Sequence, residues 1–229
     1  IGHTSSLAGT DGLYDALFER LGIIRVSGPV SFMETMKVAT CGQLPKGSKV
    51  AALACSGGDA ALIADYSETN NLQLPQLNQK QKEKFKTVLP EFANIANPLD
   101  FTTVIWGNES ALRTCAETMM ASDVDFGFLI LDYPTEESGE REQCDLMADI
   151  FQQTITKLGL PGAVASSFPE LMPKATRDRL HSHGIPALQG VEDGLAAIAR
   201  VMRYNICREQ ILAQSDGADQ ILIPGPVSA

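Results

Sequence analysis

The residues best suited to chemistry stand at the start of the chain, in Gly2-His3-Thr4-Ser5-Ser6-Leu7-Ala8-Gly9. An imidazole set between small and hydroxyl-bearing side chains can approach a phosphate or a backbone closely, because nothing bulky screens it. A second segment, Ser56-Gly57-Gly58-Asp59, follows an apolar run and opens a helical pattern. Glycines at such a turn let N–H groups close on an anion, and a helix N-terminus adds partial positive charge. Two glycines at a strand-to-helix turn also serve packing alone. Asp59 in the first turn stabilises the helix but repels a phosphate unless it points away. The lysine of a G-x-x-x-x-G-K-[ST] loop is missing, which excludes a P-loop nucleotide site. His181-Ser182-His183 has an H-x-H spacing, yet it lies at a helix end before Gly184 without nearby cysteine or carboxylate partners. It reads as C-terminal capping.

The elements that must position these residues follow from apolar periodicity. Leu13, Tyr14, Leu17, Phe18 and Leu21 recur at helical spacing after a Thr10 or Asp11 cap, and Gly22 stops the helix. Ile23 to Val26 reads as a short strand, and Val30 to Val38 as a second helix. Leu44-Pro45-Lys46-Gly47-Ser48 is a polar turn that marks a domain boundary. Beyond it, strand-like runs at 50–55, 72–74, 126–131, 163–166 and 185–188 alternate with helical patterns. The helices expected are 79–89, 110–120, 140–158, 169–181 and 193–204. This alternation predicts an α/β fold, a doubly wound parallel sheet of flavodoxin-like strand order 2-1-3-4-5. The organisation expected is 1–45, the end of a preceding domain; 46–206, the flavodoxin-like domain; and 207–229, a tail or linker.

Composition narrows the function classes. A net charge of -10 with no basic run argues against a nucleic-acid or anionic-membrane surface. The five cysteines are odd in number and widely spread, so neither a zinc site nor a disulfide framework is suggested. A reducing cytoplasm is the natural reading. No apolar run approaches membrane-spanning length, and no signal peptide is visible. The lone Trp106 is expected to pack in a loop, and Met119-Met120 to serve the core.

From His3 to about Tyr204 the segments occur in the order found in the NDP-forming acyl-CoA synthetases. These are the superfamily of succinyl-CoA synthetase and ADP-forming acetyl-CoA synthetase, which the chain resembles. The ordered signatures are the His-Thr-x-Ser-Leu-Ala-Gly segment, Gly22-Ile23-Ile24-Arg25-Val26, Ser56-Gly57-Gly58 and Asn97-Pro98-Leu99-Asp100. The resemblance implies that His3 is the catalytic phosphohistidine. It implies that Ser56, Gly57 and Gly58 form one of two helix N-termini holding its phosphate, with Thr4 and Ser6 as hydroxyl donors. The implied reaction joins a small carboxylic acid to CoA with ATP, releasing ADP and phosphate; magnesium accompanies the nucleotide outside this chain. Asn97 and Asp100 resemble a loop flanking the same site, or an Asx-capped turn of no catalytic role. Ser5 stands where the family usually has glycine, which strains a backbone that needs positive φ.

The same resemblance makes the chain a piece of a longer protein. The CoA-binding and ATP-grasp domains or subunits are then its partners, and a homodimer is possible. Three rivals compete: a non-catalytic relative, a flavin-binding flavodoxin module, and an interaction scaffold. An aromatic content of 6% and the lack of a Ser/Thr-rich phosphate loop disfavour the flavin module.

Overall fold

The structure, a computed structural model, describes residues 10–121, 123–135 and 139–215. Two helices, α1 (Asp11–Leu21) and α2 (Pro29–Thr40), precede the sheet. Five strands follow: β1 (Val50–Ala54), β2 (Leu99–Asp100), β3 (Phe126–Ile130), β4 (Gly162–Ser166) and β5 (Ala187–Gln189). They form one sheet of order β2-β1-β3-β4-β5, with every pairing parallel. The flavodoxin-like expectation is met. The connecting helices are α3 (Gly57–Thr69), α4 (Gln79–Phe85), α5 (Glu109–Met120), α6 (Gly139–Leu158), α7 (Lys174–Ser182) and α8 (Val191–Ser215).

Both faces of the sheet are covered, so β1, β3 and β4 are buried at every position and read as continuous apolar runs rather than alternating ones. On one face Leu53, Leu129 and Val164 meet Phe85, Met119, Phe151 and Leu180 from α4 to α7. On the other, Ala52, Phe128 and Ala165 meet Val38, Ile63, Leu195 and Ile198 from α2, α3 and α8. α2 therefore caps the sheet on the β5 side. Its Glu34 is buried at 3% exposure. One carboxylate oxygen accepts from the Gln189 N–H at 3.1 Å and the other from Lys37 Nζ at 2.6 Å.

The differences from expectation are local. Ile23 to Val26 joins no strand; it is an extended link between α1 and α2. The segment 72–74 forms only a single bridge, Gln73 to Lys49, and the strand beside β1 is the two-residue β2. The expected helix 169–181 begins as a separate 3-10 turn, Pro169–Leu171. The last helix runs on to Ser215 rather than stopping near Tyr204. α1 buries none of its residues and ends at Gly22, which takes the left-handed backbone (φ 65°) of a helix stop. Among the described residues no helix is long and apolar enough to cross a membrane.

Candidate functional site

In a doubly wound sheet the loops leaving the carboxyl ends of the strands carry the site. β1 delivers Cys55 and the Ser56 turn, β2 delivers Asp100 and Thr102, and β3 delivers Asp132 and Tyr133. Ser56 is the N-cap of α3. Its Oγ accepts from the Asp59 N–H at 3.1 Å and donates to the Asp59 carboxylate at 2.8 Å. The Ala60 N–H bonds back to the Ser56 carbonyl at 3.1 Å. Of the four N–H groups a helix start leaves over, that of Asp59 is thus used, the Ala60 bond being the first of the regular helical ladder. Those of Gly57 and Gly58 remain as the open donors of the turn. Neither glycine has a positive φ. What they contribute is access, since both are exposed and carry no Cβ to shield the backbone.

Three carboxylates surround the turn. Burial raises the Asp59 carboxyl above its usual range, the bond from Ser56 opposes this, and Asp132 and Asp100 add to the rise. The Cys55 thiol is pushed up to about 11 by burial and by the charges of Asp59, Asp132 and Asp100. Asp59 does not point away from the turn. It folds back onto Ser56, so its carboxylate stays beside the open donors.

The Asn97 to Asp100 segment divides into two roles. Asn97 is structural: its Oδ1 accepts from Ala52 N–H at 3.0 Å, and its Nδ2 donates to the Val50 carbonyl at 2.8 Å. Asp100 caps the following loop by accepting from Thr102 N–H at 2.8 Å. Thr102 itself holds φ 56°, rare for a β-branched residue. At the end of β3, Asp132 accepts from Ser167 N–H at 2.7 Å, tying β3 to the loop after β4.

Beside the turn lies a cavity of about 760 Å³ whose lining includes Trp106, Asp132, Tyr133, Pro134, Gln143 and Cys144. Residue patterns alone put Trp106 in loop packing and do not single out Asp132, Tyr133 or Gln143. The signal for the first two was available: they directly follow the apolar run of β3, at its carboxyl end. Gln143 carried none, because it lies on a helix brought there only by the fold.

His3 and Thr4, the expected phosphohistidine and its neighbour, lie outside the described residues, as do Ser5 and Ser6. His183 follows α7, with Nδ1 2.9 Å from the Arg179 carbonyl, so the H-x-H pair closes a helix end. Among the described residues no group of three or more His, Cys, Asp or Glu is placed to hold a metal ion.

The chain is thus an α/β domain with a flavodoxin-like sheet and an open glycine turn at the end of its first strand. The comparisons narrow that description. No family model matches the chain. The chain is 34% identical over 133 residues to the alpha subunit of an ADP-forming acetate–CoA ligase II from Pyrococcus furiosus, a match over 58% of this chain and 29% of that protein. It is 26% identical over 231 residues to a trans-feruloyl-CoA synthase from an unidentified prokaryote, covering 97% of this chain and 31% of that one. Among solved structures, a dinucleotide-forming acetyl-coenzyme A synthetase 1 from Ca. Korarchaeum cryptofilum, in complex with phosphate and ADP, matches with a TM-score of 0.73 at 20% identity. That match covers 95% of this chain and 46% of that one. The chain's homologues are ADP-forming acyl-CoA ligases and its fold is that of their solved counterparts, as the resemblance implied. The chain spans less than half the length of each of these proteins.

Proposed function

We propose that the chain is the part of an NDP-forming acyl-CoA synthetase that shelters the phosphorylated histidine. The observation that carries this is the Ser56 turn. At the carboxyl end of β1 it leaves two backbone donors open, in a chain whose homologues are ADP-forming CoA ligases. His3 is the phosphoryl carrier in this reading. Its ring nitrogen attacks the terminal phosphorus of ATP and ADP leaves. A carboxylate oxygen of the acid then takes the phosphoryl group and returns the imidazole. The thiol of CoA finally displaces phosphate from the acyl phosphate. Covalent relay splits one difficult transfer into easier steps. Gly57 and Gly58 N–H groups stabilise the charge gathering on the equatorial oxygens, with Thr4 supplying a hydroxyl while Ser56, committed to Asp59, holds the turn.

The remaining parts of the reaction fall outside the chain. CoA-binding and ATP-grasp domains or subunits supply the nucleotide, its magnesium and CoA. Residues 1–45 then come from the end of a preceding domain, of which α2 packs on the flavodoxin-like domain formed by 46–206, and 207–229 lead out. The exposed stripe of Leu13, Leu17 and Leu21 on α1 fits this organisation, since it has nothing to cover it among the described residues. Relatives named for acetate and for ferulate leave the acid open.

The test is phosphohistidine formation in the complete protein with γ-labelled ATP and magnesium. The expected label is acid-labile and base-stable, disappears in His3→Asn, and is discharged by CoA with the right acid. Absence of label while the nucleotide domain demonstrably binds ATP would overturn the reading and favour a non-catalytic relative.

A further inference from the structure

We propose that the groove between α2 and the end of α7 is a binding site for the soft monovalent ion Cu(I), held by Cys41, His181 and the thioethers of Met33 and Met36. The site shares no residue with the Ser56 turn or the cavity beside it, and it stands independently of the synthetase reading. The groove has a volume of about 370 Å³. Along α2 and its C-cap, Met33, Lys37 and Cys41 stand four residues apart, with Met36 and Thr40 on the adjoining row. At that spacing all five share one helix face, and all five line the groove. His181, in the last turn of α7, forms the opposite wall. The two walls meet at Gly42 and Gly184, where a Cβ on Gly42 would run into the Gly184 carbonyl. Cys41 Sγ lies 4.0 Å from the His181 carbonyl, so thiol and imidazole come from residues already in contact.

The hard donors of the lining are already committed. Lys37 Nζ donates to Glu34 at 2.6 Å and to Gln189 Oε1 at 3.3 Å, and the Thr40 hydroxyl donates to the Met36 carbonyl at 2.7 Å. What remains is soft: two thioethers, the Cys41 thiol with its one weak contact, and the His181 ring, which has no hydrogen-bond partner among the described residues. Met33 and Met36 are 54% and 42% exposed, so an ion arriving from solvent reaches them. Thiolate and thioether select Cu(I), and imidazole suits it. Methionine has three rotatable bonds, which lets both sulfurs swing onto an ion held between Cys41 and His181. A closed zinc site wants four ligands, ordinarily Cys, His or carboxylate, and only two such groups stand here. Magnesium and calcium want oxygen, yet no carboxylate lines the groove. The nearby ones are taken, Glu34 by Lys37 and Asp178 by Lys174. With the Lys37 charge cancelled by Glu34, a single positive charge is matched by the thiolate. Burial keeps Cys41 protonated at neutral pH, so binding breaks S–H, forms S–Cu and releases one proton to solvent, copper remaining Cu(I).

The experiment adds Cu(I), under argon with ascorbate, to the 229-residue chain carrying methyl-labelled methionine. It follows the methyl NMR spectrum and, in parallel, competition with the chromophoric chelator bicinchoninate. One equivalent is expected to leave the chelator, and of the seven methionine signals only those of Met33 and Met36 are expected to shift. Cys41→Ser is expected to abolish the transfer. His181→Gln, and Met33→Leu combined with Met36→Leu, are each expected to weaken binding about tenfold or more. Leucine conserves the methionine volume, so a loss of affinity with unchanged far-UV circular dichroism belongs to the sulfurs. Cys207→Ser removes the exposed thiol and is expected to change nothing. No uptake, uptake that vanishes with Cys207 rather than Cys41, unmoved Met33 and Met36 signals, or full affinity in the double methionine variant would overturn the proposal.

Discussion

The side chain of Asn97 pairs with two backbone groups of β1, accepting from Ala52 and donating to Val50, and its Nδ2 also reaches the Pro75 carbonyl at 3.3 Å. Replacement by Leu leaves a buried N–H and C=O unsatisfied. The expected cost is about 2–4 kcal/mol in urea unfolding, and a loss within about 0.5 kcal/mol would contradict this role. The thiols supply a second test at this scale. Burial pushes Cys115 and Cys144 up to about 12, and burial with nearby aspartates pushes Cys55 up to about 11. A folded value raised above the unfolded one of 9.0 contributes stability that is present below pH 9 and lost as the pH climbs through the folded values. The melting temperature should therefore fall between about pH 9 and 12, less steeply in Cys115→Ala. A flat profile would refute the assignment. Of these residues, the Ser56 turn was legible from its glycines after an apolar run. The structural duty of Asn97 was not, because its partners lie 45 and 47 residues away in sequence.

β3 and β4 bring two glycines face to face, Gly127 opposite Gly162, beneath α6. A Cβ on Gly162 would come within 2.9 Å of the Gly127 carbonyl, and one on Gly127 within 3.3 Å of Phe151. The pair is what lets α6 lie close on the sheet and carry Gln143 to the cavity rim. Gly162→Ala is expected to destabilise by about 1–3 kcal/mol, measured by denaturant midpoint, with a neutral result showing that α6 can ride outward freely. Strands buried on both faces were readable as unbroken apolar runs. β2 was not, since two residues carry no period, and the apolar pair Leu72 and Leu74 around Gln73 has the more strand-like pattern. The extension of α8 past Tyr204 was equally hidden. Ile211 is exposed there, and the helix continues on the propensity of Arg, Glu, Gln, Leu and Ala rather than on an apolar period.

At the scale of the whole chain, α2 belongs with the sheet it caps. Val38 is buried at 2% exposure in the core beside α8, and Glu34 grips the end of β5. A chain beginning at Gly28 should keep its denaturant midpoint, while one beginning at Lys46 should lose at least about 2 kcal/mol; equal midpoints would show that α2 merely rests on the surface. Chain order and apolar alternation were enough to read the doubly wound topology. The attachment of α2 was beyond them, because nothing local tells a helix which distant strand it will cover.

That attachment sets an order of events during synthesis. Glu34 and the N–H it holds are 155 residues apart, so a ribosome adding about 5–20 residues per second separates their appearance by roughly ten to thirty seconds. Throughout that interval the carboxylate stays hydrated and α2 has no place to settle. α2 is thus made well before the strand end that fixes it.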